Sequence, residues 1–256
     1  MRSFDLTGKC AVVLGGTSGL GREIAFGFAK AGADVVAASR RKMEVDRTAN
    51  EIEELGSSTL RERADVTSRE SLQRLHDKVL SEFGQIDILV NSAGVSMRRP
   101  AIEYSEEDWC DILNVNLHGT FRACQIFGKT MLAQNSGTII NIASLATFVA
   151  FRDVAAYGVS KAGVGALTKS LAVEWAQSGV RVNAIAPGVF PTELNCDLIH
   201  GTDRGKELLM RTPMARYGNP AEVAGAAVFL ASNASSFVNG EILAVDGGFL
   251  ASGVNS

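Results

Sequence analysis

The sequence predicts an α/β fold of the doubly wound type, a parallel sheet with helices on both faces. Short apolar runs such as Cys10-Ala11-Val12-Val13-Leu14 and Val35-Val36-Ala37-Ala38 read as strands buried on both sides. They alternate with segments of helical periodicity, the order that a parallel sheet requires. A glycine-rich turn follows the first strand at once. At 256 residues, 46% hydrophobic and 21% charged, the chain has ordinary globular composition and the length of one large domain. No repeat, low-complexity tract or linker divides it, so residues 1–256 are expected to form a single unit.

The first strand runs into Gly15-Gly16-Thr17-Ser18-Gly19-Leu20-Gly21, and a helix follows with Ile24, Phe28 and Ala29 on one side. Strand, glycine turn and helix start make a phosphate cradle, because backbone N–H groups and the positive end of the helix dipole face the ligand. The spacing is Gly-x-x-x-Gly-x-Gly; the alternative is a tight strand–helix turn with no ligand. The second strand, Ala33 to Ala38, ends at Ser39-Arg40-Arg41. An acidic residue there would bind both ribose hydroxyls of NAD, whereas arginines suit the 2′-phosphate of NADP. NADP is therefore favoured, with NAD still open, unless the two arginines are a solvated surface pair. Ser18 adds no basic group to the argument.

Glu44 to Leu55 reads as an amphipathic helix closed by Gly56. A third strand is expected to lead to Ala64-Asp65-Val66, where Asp65 either meets an adenine amino group or caps its own neighbourhood. Ser68 reads as the cap of the next helix. Ile86 to Val90 forms a fourth strand, ending in Asn91-Ser92-Ala93-Gly94, whose small side chains leave room for a ribose. Ser105-Glu106-Glu107-Asp108 is a capping box that opens a helix carrying Trp109, Ile112 and Leu113, with Asn116 in it or its continuation.

Thr138 to Ile142 is a fifth strand and leads into Ser144. A helix then begins near Tyr157 and runs through Leu167, Leu171 and Trp175 to Gly179. Tyr157 and Lys161 are four apart, so a helix puts them on one face. The expectation is that the ammonium lowers the pKa of the phenol, ordinarily about 10, toward proton exchange with an alcohol oxygen. Ser144 can hold that same oxygen. Val180 to Ile185 is a sixth strand, and weak periodicity from Pro187 onward marks a lid at about 188–215. Asn219-Pro220-Ala221-Glu222 starts another helix, and Glu241 to Val245 closes the sheet.

The net charge of −3 gives no broad basic footprint for nucleic acid, and no apolar run is long enough to span a bilayer. Met1-Arg2-Ser3-Phe4-Asp5 lacks a signal-peptide pattern, which makes a cytoplasmic location the default. Four cysteines and three histidines (His76, His118, His200) are scattered, so neither a metal site nor a disulfide framework is expected.

Taken together, these residues resemble the short-chain dehydrogenases/reductases over nearly the whole chain. The motifs are Gly15-x-x-x-Gly19-Leu20-Gly21, Asn91-Ser92-Ala93-Gly94, Asn114-Val115-Asn116-Leu117, Ser144, Tyr157-x-x-x-Lys161 and Pro187-Gly188. The resemblance implies a Rossmann-like fold with seven parallel strands, a coenzyme half (about 1–150) and a catalytic and substrate half (about 110–256). It implies Tyr157 as acid/base, Lys161 on the nicotinamide ribose, Ser144 on the substrate oxygen, and Asn116 anchoring a proton-relay water. Asp65, Val66, Asn91, Ala93 and Gly94 join the coenzyme contacts. Pro187, Gly188, Phe190 and Thr192 would cover the carboxamide, and a homotetramer or dimer is implied. Leu14 and Ser92 depart from the usual threonine and asparagine beside the coenzyme.

Three stretches look like the gluconate 5-dehydrogenase and sugar-acid subgroup: Gly94 to Pro100, Pro191-Thr192-Glu193-Leu194-Asn195, and Arg211 to Gly218. Arg98 or Arg99 could pair with a substrate carboxylate, although each can equally be a solvated loop charge or a subunit contact. A 3-oxoacyl-carrier-protein reductase shares nearly all the motifs. A coenzyme-binding sensor or scaffold without turnover is the non-enzyme alternative, and the presence of Asn116, Ser144, Tyr157 and Lys161 favours an enzyme.

Overall fold

The computed structural model describes residues 3–192, 195–199 and 201–253. Glu193 and Leu194 of the sugar-acid-like stretch, and His200, lie outside the described residues. In chain order the first elements are β1 (Cys10–Leu14), α1 (Gly19–Lys30), β2 (Asp34–Ala38), α2 (Lys42–Glu54), α3 (Arg69–Phe83) and β3 (Ile88–Asn91). Then come α4 (Glu106–Leu113), a π-helical turn (Asn114–His118), α5 (Gly119–Gln134), β4 (Gly137–Ile142) and α6 (Ala155–Trp175). The chain continues through β5 (Val180–Pro187), α7 (Cys196–Ile199), α8 (Asp203–Met210), α9 (Ala221–Ala231) and β6 (Ile242–Val245).

The sheet is parallel throughout, in the order β2-β1-β3-β4-β5-β6. Each strand turns alternate side chains to opposite faces, which is why its run is apolar without interruption. Val12 and Leu14 pack with Leu72 and Leu75 of α3, Phe127 of α5 and Leu171 of α6. Ala11 and Val13 pack with Ile24 and Phe28 of α1 and with Val223 and Leu230 of α9. The chain leaves β1 in one direction for β2 and returns past it to β3. The carboxyl ends of β1 and β3 therefore border the point where the winding reverses, the usual place for a ligand cleft.

Among the described residues the sheet has six strands, not seven. The expected third strand beside β2 has no regular secondary structure and is tied at its ends by Val35 N–H to Ser58 O (3.0 Å) and Ala64 N–H to Ser39 O (3.0 Å). Between them Arg61 turns its guanidinium to Glu53 and Asn50 of α2, while Lys42 reaches the Arg61 carbonyl at 3.3 Å. Lys78 of α3 pairs with Glu62. Charged side chains bind this edge to the flanking helices in place of a full backbone ladder.

The helix signals act locally. Ser68 Oγ accepts from Ser71 N–H (3.2 Å) and Ser105 Oγ from Asp108 N–H (3.0 Å), satisfying amides that the first turn leaves without helical partners. Asn219 and Glu222 cap reciprocally ahead of α9: Asn219 Oδ1 accepts from Ala221 N–H, and Glu222 Oε2 from Asn219 N–H. Two short helices, α7 and α8, lie within the region expected as a lid. Among the described residues no helix is long and apolar enough to cross a membrane, and no group of His, Cys, Asp or Glu could hold a metal ion.

Candidate active site

A cleft of about 440 Å³ opens at the carboxyl ends of the strands. Its first wall is the turn after β1. Gly15 has φ +77°, and a Cβ there would stand 2.6 Å from the Ala93 backbone nitrogen; on Gly21 it would stand 2.3 Å from the Gly15 carbonyl. Only glycine lets this turn close against the end of β3. Ser18 sits at the N-cap of α1 without a side-chain capping bond, and the first turn carries no acidic residue. The amides and dipole end of α1 therefore remain suited to an anion. Thr17, Ser18, Gly19 and Leu20 all line the cleft, and Thr17 Oγ1 donates to Ser39 Oγ at 2.8 Å. That bond couples the glycine turn to the end of β2, where Arg40 and Arg41 form the cationic end of the cleft.

Asp65 and Val66 lie on the same side. Asp65 Oδ1 accepts from Thr67 N–H (2.9 Å) and Thr67 Oγ1 (2.7 Å), so the residue caps its own turn while facing the cleft. Burial opposes its ionisation, but Thr67 and the Arg40 charge outweigh that and hold its carboxyl below the usual range. Ala93 and Gly94 line the floor, and Pro187, Gly188, Phe190 and Thr192 form the far rim. Thr192 is held by Asn195, whose Oδ1 accepts from Thr192 N–H (2.9 Å) and whose Nδ2 donates to Phe190 O (2.9 Å).

Ser144, Tyr157 and Lys161 meet at the inner end of the cleft. Ser144 caps the short 3₁₀ turn Leu145–Thr147, accepting from Ala146 N–H at 3.1 Å. Thr147 Oγ1 accepts from Ser144 N–H (3.3 Å) and donates to Lys161 O (3.0 Å), so one hydroxyl ties the serine loop to α6. Lys161 Nζ lies 5.7 Å from the Tyr157 ring centroid and donates to Ile142 O at 2.6 Å. Burial lowers the lysine pKa to about 8.

The expected lowering of the Tyr157 pKa is absent from this geometry. Burial raises it, and hydrogen bonding with Ser144 only partly opposes that. Desolvation disfavours both charges, the phenolate and the ammonium alike, and Lys161 spends its short hydrogen bond on a backbone carbonyl.

Four residues named from the sequence stand outside the cleft wall. Asn91 points into the core, donating to Asn141 Oδ1 at 2.8 Å and to Cys124 Sγ at 3.4 Å. Asn116 lies behind the wall, exchanging hydrogen bonds with the Val95 backbone (2.8 and 2.9 Å) and donating to Ser160 Oγ (3.0 Å). Its own carbonyl accepts from Thr120 Oγ1 at 2.7 Å, within the π-helical turn. Arg98 pairs with Asp153 and Arg99 with Asp108. Sequence reasoning missed Ser39, Asn195, Thr147 and Ser160. Ser39, Thr147 and Ser160 find partners remote in sequence, and Asn195 binds Phe190 and Thr192 within its own irregular segment, where a small polar side chain carries no pattern of its own.

A family model described as enoyl-(acyl carrier protein) reductase matches residues 15–250. The chain is 43% identical over 252 residues to 2-dehydro-3-deoxy-D-gluconate 5-dehydrogenase of Escherichia coli, covering 98% of this chain and 99% of that one. It is 44% identical over 253 residues to D-threitol dehydrogenase of Mycolicibacterium smegmatis, with 96% and 94% covered. A solved gluconate 5-dehydrogenase from Burkholderia cenocepacia, in complex with NADP and tartrate, superposes with a TM-score of 0.93 at 37% identity, covering 98% of each chain. Likeness of this extent, on a parallel sheet with Ser144, Tyr157 and Lys161 lining the cleft at its strand ends, places the chain in the short-chain dehydrogenase/reductase family of oxidoreductases.

Proposed function

We propose that the protein interconverts a secondary alcohol and a ketone on a sugar acid such as gluconate, with NADP(H) as coenzyme. The observation that carries this reading is one cleft with Ser144, Tyr157 and Lys161 at one end and Arg40 and Arg41 at the other. The residues fit a dinucleotide: glycines where a side chain would collide, an uncapped helix start for the phosphates, and guanidinium groups for a 2′-phosphate. When bound, the coenzyme supplies the hydride acceptor or donor.

The chain's own part is proton transfer and positioning. In oxidation the Tyr157 phenolate oxygen takes the alcohol proton as the C–H bond breaks; in reduction the neutral phenol returns a proton to the carbonyl oxygen. Ser144 donates a hydrogen bond to the same substrate oxygen, and Lys161 holds positive charge beneath it. Asn116 and Ser160 brace the Val95 segment against the Tyr157 carbonyl, fixing the floor of the site.

The test is a coenzyme-coupled assay of the purified protein with NADP(H) and NAD(H). The substrates are aldonic and keto-aldonic acids, neutral polyols, and an acetoacetyl thioester. Turnover of the acids supports the proposal. Turnover of polyols alone would make the D-threitol relative the better guide, and of the thioester alone the carrier-protein one. Arg40→Ala is expected to raise KM for NADP(H) about tenfold or more and leave that for NAD(H) nearly unchanged, since a charge-assisted phosphate contact contributes about 1.5–3 kcal/mol. Equal losses for both coenzymes would mean that Arg40 only shapes the turn.

The assembly proposed is a homo-oligomer, tetramer or dimer, because Phe121 of α5 and Val159 and Val173 of α6 leave large apolar groups exposed. A monomer by light scattering would reject it. Four free cysteines accord with a reducing, cytoplasmic setting, and a different compartment by cell fractionation would reject that.

A further inference from the structure

Arg98 lies three residues beyond Val95, which lines the cleft, and turns its guanidinium onto Asp153 Oδ2 (Nε 3.3 Å, Nη2 3.2 Å). Asp153 holds a left-handed φ of +66° immediately before Val154, the N-cap of α6, and only four residues ahead of Tyr157. Its backbone carbonyl accepts from Arg99 N–H at 2.7 Å, so the loop carrying Arg98 is docked onto the start of the catalytic helix. Arg152 brings a second guanidinium, Nε 3.7 Å from Asp153 Oδ1.

A third arrives from the lid. Arg204, near the start of α8, donates from Nη1 to Arg152 O at 3.1 Å and has no ion-pair partner among the described residues. Arg98, Arg152 and Arg204 thus gather around the single carboxylate of Asp153. Arg99 is already matched by Asp108. Glu207, one turn along α8, acts on Arg204 at longer range, and counting it still leaves an excess of positive charge. Burial and then the charge of Arg98 depress the pKa of Arg204, as expected for a cation held near another cation.

We propose that Arg204 is the lid's half of a carboxylate clamp, gripping the acid end of the substrate together with Arg98, with Asp153 holding Arg98 in place. The clamp makes Arg204 a specificity-determining residue, and it rests on the sugar-acid reading of the cleft. The long Arg98–Asp153 contacts leave that guanidinium able to turn to a second carboxylate. A guanidinium fork matches a carboxylate in two parallel hydrogen bonds, which an amide or hydroxyl end group cannot answer with charge.

The experiment compares wild type, Arg204→Gln and Arg204→Lys on two substrates. These are the aldonic acid with the highest kcat/KM in the panel and the primary amide of that acid. Arg204→Gln keeps a donor for the Arg152 carbonyl and removes the charge. Its KM for the acid is expected to rise about tenfold or more, as for loss of a charge-assisted contact, with kcat within about threefold and the KM for the amide unmoved. Arg204→Lys should recover part of the loss. An unchanged KM for the acid, or equal losses on acid and amide, would overturn the clamp while leaving the sugar-acid reading in place. Failure of wild type on every acid would remove that reading and the clamp together.

Discussion

Tyr157→Phe is expected to lower kcat by about a thousandfold or more, within the range attributed to a positioned general acid–base, while coenzyme binding changes little. The ring stays in its half-buried seat on α6 and only the oxygen proposed to exchange the proton is lost. Fluorescence titration with NADPH separates the two effects, and a variant with near-normal kcat would refute the assigned chemistry. The wild-type pH profile follows from the same environment. Burial raises the phenol pKa against the partial opposition of Ser144, so the phenolate needed for alcohol oxidation becomes more populated as pH rises. Oxidation is expected to accelerate from pH 7 to 10, whereas ketone reduction, which uses the neutral phenol, should not need high pH.

Lys161→Met should separate activity from stability. Turnover is expected to fall by about a hundredfold or more, since the variant lacks the positive charge proposed to lie beneath the reacting oxygen. Stability without coenzyme should change in the opposite sense. The folded pKa near 8 lies below the ordinary 10.5 because burial disfavours the ammonium. The unfolded chain therefore binds more protons between these values, and wild-type stability rises with pH across that window. Below pH 8 the penalty is present in full, about 3 kcal/mol at 1.36 kcal/mol per pKa unit. Losing the hydrogen bond to Ile142 O offsets about 1 kcal/mol. At pH 7 the variant should be more stable by about 2 kcal/mol, with the gain shrinking toward pH 10. Calorimetric melting at pH 7 and pH 9.5 checks this. A wild type that melts higher at pH 7 would show that the bond to Ile142 outweighs the desolvation of the charge.

Much of the fold was legible because the signals are local. The Cys10–Leu14 run, the Gly15–Gly21 turn and the caps at Ser68 and Ser105 each act within a few residues and formed, but of the expected capping box only the Ser105 half is present, because Asp108 turns its carboxylate to Arg99. The missing seventh strand shows the limit. Ala64-Asp65-Val66 marks the expected strand end, yet Arg61 and Glu62 find partners on α2 and α3, which no local pattern reveals. Asn91 illustrates a second limit. Its place at the end of β3 is plain from the sequence, but which way its amide points depends on Cys124 and Asn141 from other elements.

The sequence by itself determined the parallel sheet, the glycine turn at the switch point and the pairing of Tyr157 with Lys161 on one helix face. Periodicity, backbone freedom and helix geometry act over a few residues. Only the tertiary structure decided that Thr147 ties the serine loop to α6, that Arg98, Arg152 and Arg204 crowd around Asp153, and that burial raises rather than lowers the Tyr157 pKa. Each of these depends on groups far apart in the chain, and desolvation in particular is set by everything that surrounds a side chain.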